Sequence, residues 1–273
     1  MPEGPEIRLA ADTIADAIES KKIEEIEAGL PHLQNAVIAL RGEKVREVET
    51  RGKAMLIHFA NNQTIYSHNQ LYGVWKVVKR GSLPQTKRSL RLALHTDKKS
   101  ALLYSASDIG VYQSHELEAH PFLSKIGPDI LNKQLTWQSV AERLVHKRFR
   151  NRKLSILYLD QHFLAGIGNY LRSEILFAAG LHPDLKPSDL NQEQVNILAQ
   201  QTLSISLRSY HTKGFTVPDN LGRVLSKSDN NYESARFMVF NREQETCRIC
   251  VSPIVRATRN GRRIYWCNNC QKS

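Results

Sequence analysis

Cys247-Arg248-Ile249-Cys250 and Cys267-Asn268-Asn269-Cys270 close the chain as two CxxC pairs with sixteen residues between them. Each pair is compact enough to put two thiolates on one metal ion, and the stretch between can fold as a β-hairpin. Four thiolates with no open position describe a structural zinc site, with disulfides as the competing reading. So short a module cannot build a sufficient core alone, so a metal would supply much of its folding free energy. Arg262 and Arg263 precede the second pair and fall on or near the hairpin tip. There they can meet phosphate or a minor groove, or stand solvated.

Upstream of this module the apolar residues follow a helical period. Helices are expected at Trp137–Val145, Lys153–His162, Leu171–Ala179 and Asn191–Leu207. Between the second and third lies Leu164-Ala165-Gly166-Ile167-Gly168-Asn169-Tyr170. Two glycines spaced by one residue allow positive φ and close backbone approach, and the next helix would then begin with free N–H groups pointing outward. That is either a phosphate cradle, with Asn169 as an added donor, or a corner that needs glycine for packing. Residues 214–231, rich in Gly, Asp, Asn and Ser, read as a mobile loop.

Further upstream the period changes to two. Val45, Val48, the run Ala54–Phe59, the alternation Ser89–His95 and Ala101–Ser107 read as short strands joined by short turns, an antiparallel sandwich. Before them Ile7, Ala10, Ala11, Ile14, Ala15, Ala17 and Ile18 mark a helix with one buried face, with Pro5 and Glu6 suited to its first turn. Gly127-Pro128-Asp129 stands where sheet gives way to helix and reads as an interdomain turn. The fold class is therefore α+β and multidomain.

The chain has 273 residues, 38 Lys+Arg against 27 Asp+Glu, and a net charge of +11. Its hydrophobic content of 41% excludes a disordered chain. No run approaches the roughly 18 to 20 apolar residues of a membrane span. The opening Met1–Arg8 is acidic and has no apolar h-region, so no secretory signal is expected and a cytoplasmic location is. The charge is unevenly placed. Residues 1–75 hold 8 basic and 11 acidic side chains, whereas residues 76–100 hold 8 basic and one acidic. Residues 146–153 pack five cations into eight positions, and the last forty residues carry 8 cations and 2 acids. Three basic blocks could be gathered against a polyanion, nucleic acid or an anionic membrane surface, or remain separate solvated patches.

The start, Met1-Pro2-Glu3-Gly4-Pro5-Glu6, carries a further possibility. Methionine before a small residue is generally removed, which leaves Pro2 with a free secondary amine. An α-amine titrates near 7.7–8.0, so a fraction is unprotonated at neutral pH and can attack an electrophilic sugar carbon. Glu3 beside it can handle protons. The alternative is a plain turn into a helix with acids favoured by the helix dipole.

These motifs occur together and in the order seen in the Fpg/Nei family of bifunctional DNA glycosylases: the Pro2–Glu6 start, Thr50-Arg51-Gly52-Lys53, the Gly166–Tyr170 corner and the spaced CxxC pairs. The resemblance covers essentially the whole chain. Ser67–Trp75 and Leu103–Asp108 resemble the endonuclease VIII branch, whereas the sister branch for oxidised purines typically has a Met-containing wedge in place of Gln70-Leu71-Tyr72. The resemblance implies a β-sandwich domain over 1–125 with flanking helices, a hinge at 126–135, a helix-two-turn-helix domain at 136–232 and a zinc hairpin at 233–273.

It also implies roles. Pro2 would be the nucleophile at C1′, Glu3 the general acid/base at the sugar, and Glu6 a support for the active site. Lys53 would contact phosphate beside the lesion and assist catalysis; without the resemblance it is an exposed turn lysine. Asn169 and Arg262 would clamp the flanking phosphates, with Arg263 a possible substitute for Arg262. Gln70, Leu71 and Tyr72 would fill the gap left by an extruded nucleotide, although Leu71 and Tyr72 also suit a core. Cys247, Cys250, Cys267 and Cys270 would hold one structural Zn2+ ion. The implied partner is damaged double-stranded DNA, bound by a monomer with no nucleotide cofactor in a bacterial cytoplasm, at the nucleoid. The implied reaction is removal of oxidised pyrimidines such as thymine glycol or dihydrouracil, followed by β,δ-elimination. The alternatives are a sister glycosylase for oxidised purines and a damaged-DNA-binding protein without catalysis.

Overall fold

The apolar spacing near the start produces helix α1, Gly4–Ile18, whose Ile7, Ala11, Ile14 and Ile18 are buried. The computed structural model describes residues 2–218, 221 and 232–272. They form two units, one made of Pro2 with Glu6–Lys125 and the other of Glu3–Pro5 with the described residues from Ile126 onward. Most of the expected 214–231 loop lies outside the described residues.

Besides α1 and the short helix α2 (Pro31–Gln34), the first unit contains eight strands: β1 (Glu25–Ala28), β2 (Val45–Arg51), β3 (Ala54–Phe59), β4 (Gln63–His68), β5 (Val74–Lys79), β6 (Leu90–His95), β7 (Lys99–Tyr104) and β8 (Asp108–Gln113). They make two antiparallel four-stranded sheets, ordered β1-β6-β7-β5 and β2-β3-β4-β8. Val48, Ile57, Phe59 and Ile65 of one sheet share a core with Trp75, Leu92, Leu94 and Leu103 of the other and with Ile14 and Ile18 of α1. Each such side chain contributes about 1.5–3 kcal/mol on burial, which is why two sheets with apolar inner faces close on each other. Strand β3 is buried at every position. Its one imidazole, His58, is accommodated by Thr64 Oγ1 at 2.9 Å and Glu49 Oε2 at 3.0 Å.

The second unit contains α3 (Trp137–Val145), α4 (Leu154–Leu157), α5 (Asn169–Ala178), α6 (Gln192–His211) and the hairpin β9 (Ile254–Arg259) with β10 (Arg262–Cys267). Thr136 and Asn191 cap α3 and α6 by accepting N–H bonds from Ser139 and Gln194. Val140, Leu144, Phe163, Leu171 and Leu198 form one core with Ile264 and Trp266 of the hairpin. Asp184 adds a polar tie, accepting two bonds from the Arg259 guanidinium at 3.0 and 2.8 Å. The expected helix Lys153–His162 shortens to the single turn α4. Beyond it Asp160 takes the His162 N–H at 2.9 Å and pairs with Arg152, and the backbone closes three-residue turns instead.

Candidate functional site

The first residues of the chain are locked to the corner before α5. Gly4 N–H donates to Gly166 O at 2.8 Å. The buried Glu3 carboxylate accepts from the backbone N–H groups of Gly168 at 2.7 Å, Tyr170 at 2.9 Å and Leu171 at 3.2 Å. It thereby caps α5 from a point 165 residues away in sequence. Both glycines of the corner have a reason. Gly166 sits at φ +103°, and a Cβ on Gly168 would lie 2.4 Å from Glu3 Cδ. Gln161 braces the same corner, accepting from Gly166 N at 3.0 Å and donating to Ile167 O at 2.9 Å. The expectation of free N–H groups cradling phosphate is therefore corrected: three of them are already bound by a carboxylate of the chain itself. Pro2, one bond upstream of Glu3, is held at this anchored end, and Glu6 lies half-buried in the first turn of α1.

Asn169 opens α5 and is part exposed, beside Arg172, a residue that sequence reasoning missed. Arg172 is fully buried yet charged. Its guanidinium donates to Ser155 O, to Asn169 Oδ1 at 3.3 Å and to Arg263 O at 2.7 Å. Burial lowers its pKa to about 10, Glu3 opposes that shift and Arg262 adds to it. One side chain thus joins Glu3, Asn169 and the two arginines of the hairpin within a single electrostatic group. Arg262 and Arg263 are exposed and begin β10 directly after the tip Asn260-Gly261, whose positive φ values of 49° and 72° make the tight turn. Glu174, two residues on, was also missed. It accepts from Thr216 Oγ1 and from the N–H groups of Met238, Val239 and Phe240. The decisive partners of Arg172 and Glu174 are remote in sequence, so no local signal marks either residue.

In the first unit Lys53 occupies a two-residue turn between β2 and β3, where Arg51 pairs with Ala54 and Gly52 has φ +62°. Burial lowers the pKa of His68, with Asp108 opposing and the Lys53 charge reinforcing the shift, so Lys53 and His68 share one electrostatic environment. Gln70, Leu71 and Tyr72 form the corner by which the chain leaves β4 in one sheet and enters β5 in the other. Gly73 N–H donates to Asn69 O at 2.7 Å, an approach that a Cβ on Gly73 would block at 2.6 Å from the same oxygen. The corner leaves Leu71 57% and Tyr72 70% exposed, which removes the core reading of both. Ser107 Oγ donates to Gln70 Oε1 at 3.1 Å, and Arg88 donates to Tyr72 O.

The sulfur atoms of Cys247, Cys250, Cys267 and Cys270 all lie within 4.8 Å of one another, with Cys247–Cys270 at 3.8 Å and Cys250–Cys267 at 3.4 Å. A tetrahedral thiolate site with bonds of about 2.3 Å has S···S edges of about 3.8 Å. The donor set fits one metal ion.

Family models match both parts of the chain: the formamidopyrimidine-DNA glycosylase N-terminal domain over residues 1–107 and the formamidopyrimidine-DNA glycosylase H2TH domain over residues 126–219. The chain belongs to the Fpg/Nei family. Endonuclease 8 of Salmonella enteritidis is 47% identical over 274 residues, covering 100% of both chains. Endonuclease 8 of Shigella sonnei is 48% identical over 273 residues, covering 99% of this chain and 100% of the relative. Among solved structures, a complex of the Lactococcus lactis Fpg protein with a THF-DNA and an inhibitor superposes with a TM-score of 0.82 at 19% identity over 100% of each chain. A complex of the same protein with an oxidized pyrimidine containing DNA gives 0.81 at 20% identity over 100% of each chain. Those two likenesses establish the shared fold.

As an Fpg/Nei chain, the protein has the family's antiparallel sheets, H2TH helices and cysteine hairpin, and members of the family are DNA glycosylases and abasic-site lyases. Within the second unit the structure groups Glu3, Asn169, Arg262 and Arg263 around Arg172. Within the first it sets Lys53 and the Gln70–Tyr72 corner on turns of the sandwich. Among the described residues no helix is long and apolar enough to cross a membrane.

Proposed function

We propose that this DNA glycosylase of base-excision repair removes oxidised pyrimidines from duplex DNA and then cuts the abasic strand through a Schiff base on Pro2. The observation that carries the proposal is the Glu3 lock: the carboxylate next to Pro2 is buried and held by three N–H groups. A carboxylate so fixed keeps the neighbouring amine in place, which is what an attack at one sugar carbon demands. The Pro2 nitrogen lone pair attacks C1′, the glycosidic bond breaks toward the base, and the base leaves with a proton. Glu3 handles the protons of ring opening, which yields an iminium between Pro2 and C1′. Loss of a C2′ proton expels the 3′ phosphate and a second elimination expels the 5′ phosphate, leaving a one-nucleotide gap with phosphates at both ends.

The sugar carbon cannot be reached inside a stacked duplex, so the nucleotide must be turned out. Leu71 and Tyr72, apolar and exposed on a constrained corner, are suited to fill the vacated stack, and Gln70 to meet the bases beside it. Lys53, Asn169 and Arg262 contact phosphates around the lesion, with Arg263 as a further cation. Zinc is the ion that suits four thiolates. Bound there it would hold Arg262 and Arg263 by stabilising the hairpin, outside the reaction. The protein acts as a monomer, in the bacterial cytoplasm, on the nucleoid.

Paired duplexes carrying thymine glycol or 8-oxoguanine test the lesion class. Faster strand cutting of the thymine glycol duplex is expected. The reverse ranking would make it a purine enzyme, and binding without cutting of either would make it a damage-binding protein.

A further inference from the structure

The basic block at residues 76–100 is divided by the fold. Leu90, Tyr104 and Val74 are paired at the end of the β1-β6-β7-β5 sheet that carries the Gln70–Tyr72 corner, and Arg88 and Arg91 lie at that end. Lys79, Arg80, Lys98 and Lys99 lie at the other end, five strand steps or about 17 Å away. There they rim a cleft of about 720 Å³ whose apolar part is made by Val77 and Val78, with Asp97 as its one acidic residue.

This cationic end is built and it is unfavourable for folding. Lys79 and Lys99 are direct cross-strand partners, a like-charge pairing that antiparallel sheets disfavour. Lys98 adjoins them, and among the described residues none of the three lysines makes an ion pair. Only Arg80 is neutralised, by Glu25 at 2.7 Å. The backbone beneath is fixed: Thr96 Oγ1 accepts from the N–H groups of Lys98 at 3.3 Å and Lys99 at 3.0 Å, and Arg80 N–H donates to Lys98 O at 2.8 Å. Strand β5 is moreover an edge of its sheet, with one side unpaired by any other described strand.

We infer that this cleft is a docking site for an acidic peptide segment of a partner protein, one that places an apolar side chain against Val77 and Val78 and carboxylates on Lys79, Lys98 and Lys99. Two observations favour a peptide over nucleic acid. Val77 and Val78, on opposite faces of β5, give the cleft apolar lining along the strand edge, which phosphodiester does not require. The cleft also lies at the sheet end opposite the Gln70–Tyr72 corner, and this second point rests on the proposed role of that corner in DNA. The edge of β5 suits an extended segment.

Fluorescence anisotropy on the full-length, zinc-loaded protein tests this, with a labelled peptide of about ten residues in which Asp and Glu flank a Leu-Phe pair. Saturable micromolar binding is expected, weakened at least about tenfold by Lys98→Glu/Lys99→Glu, with cutting of abasic duplex unchanged. Lys99→Glu alone should also weaken binding without lowering the melting temperature, since it replaces a repulsive cross-strand pair by an attractive one. The proposal is overturned by equal affinity of the double variant, or by equal binding of a peptide with Gly-Ser in place of Leu-Phe. It is overturned as well if a short oligothymidylate displaces the peptide and is weakened equally by the same variant, which would make the cleft a nucleic-acid surface. Because peptide binding is read apart from strand cutting, its failure leaves the glycosylase assignment standing, and the reverse.

Discussion

Two loops of the molecule, the Gln161–Arg172 corner and the Asn69–Gly73 corner, are built on opposite principles. The first is buried and over-determined. Glu3 and Gln161 bind its backbone at five points, Arg172 ties it through Asn169 Oδ1 to the Arg263 carbonyl, and glycine is required at 168 because a carboxylate occupies the place of its side chain. The second is tight in backbone but presents Leu71 and Tyr72 to solvent, anchored chiefly at its rim by Ser107 and Arg88. The difference follows from what each has to do. Chemistry at one carbon atom tolerates little displacement, whereas a residue that fills space in a stack works through surface. Substitution in the first loop should damage fold and reaction together, and substitution in the second should damage reaction alone.

The largest effect is expected from Gly168→Ala. Its Cβ would stand 2.4 Å from Glu3 Cδ, so the carboxylate must leave its three donors. Abasic-site cutting should fall by about a hundredfold, and unfolding in urea should show a loss of about 3 kcal/mol. Wild-type rates in that variant would mean that the lock does not position the reacting end. Removing the metal with a chelator should come next. Ile264 and Trp266 belong to the helical core, so loosening the hairpin should lower the melting temperature and weaken duplex binding together. Binding that survives chelation intact would remove the hairpin from the DNA contact.

Leu71→Ala sharpens the other side of the comparison. With 57% of Leu71 exposed, thermal stability should stay unchanged while kcat/KM on a lesion duplex falls by roughly tenfold. A fall in melting temperature instead would show that the corner is structural. The smallest effect concerns neither loop. Burial pushes the Glu49 carboxyl up, but hydrogen bonds from His58 and Arg51 outweigh it and bring its pKa from 4.5 to about 2. A depressed carboxylate stabilises the fold above its unfolded pKa and loses that contribution as pH falls through the folded one. Glu49→Gln should therefore flatten the stability-versus-pH curve between about 4.5 and 2, with a small loss of stability at neutral pH and little change near pH 2; an unaltered curve contradicts the assignment.

Much of this was legible before any coordinates. The CxxC spacing marks four sulfur atoms that do converge, and the two-residue period marks β3, β6 and β7 to within a few positions. What was illegible depends on contacts remote in sequence. Nothing in Met1–Glu6 says that Glu3 will cap a helix beginning at Asn169, so the glycine corner reads as open to phosphate when it is closed by a carboxylate. Arg172 and Glu174 look like solvent-facing charges on a helix, and only the tertiary structure supplies the partners that allow them to be buried. Beyond the end of α4, Asp160 binds the His162 N–H, a side-chain bond that hydrophobic periodicity does not register.

The central claim is that the chain's reactive amine is that of Pro2. Borohydride reduction of the protein on an abasic duplex, followed by proteolysis and mass mapping of the cross-linked peptide, tests it most directly. The account predicts a covalent adduct on the nitrogen of Pro2, on chains from which Met1 has been removed. An adduct on a lysine such as Lys53, or no adduct at all from a protein that still cuts the strand, would contradict it.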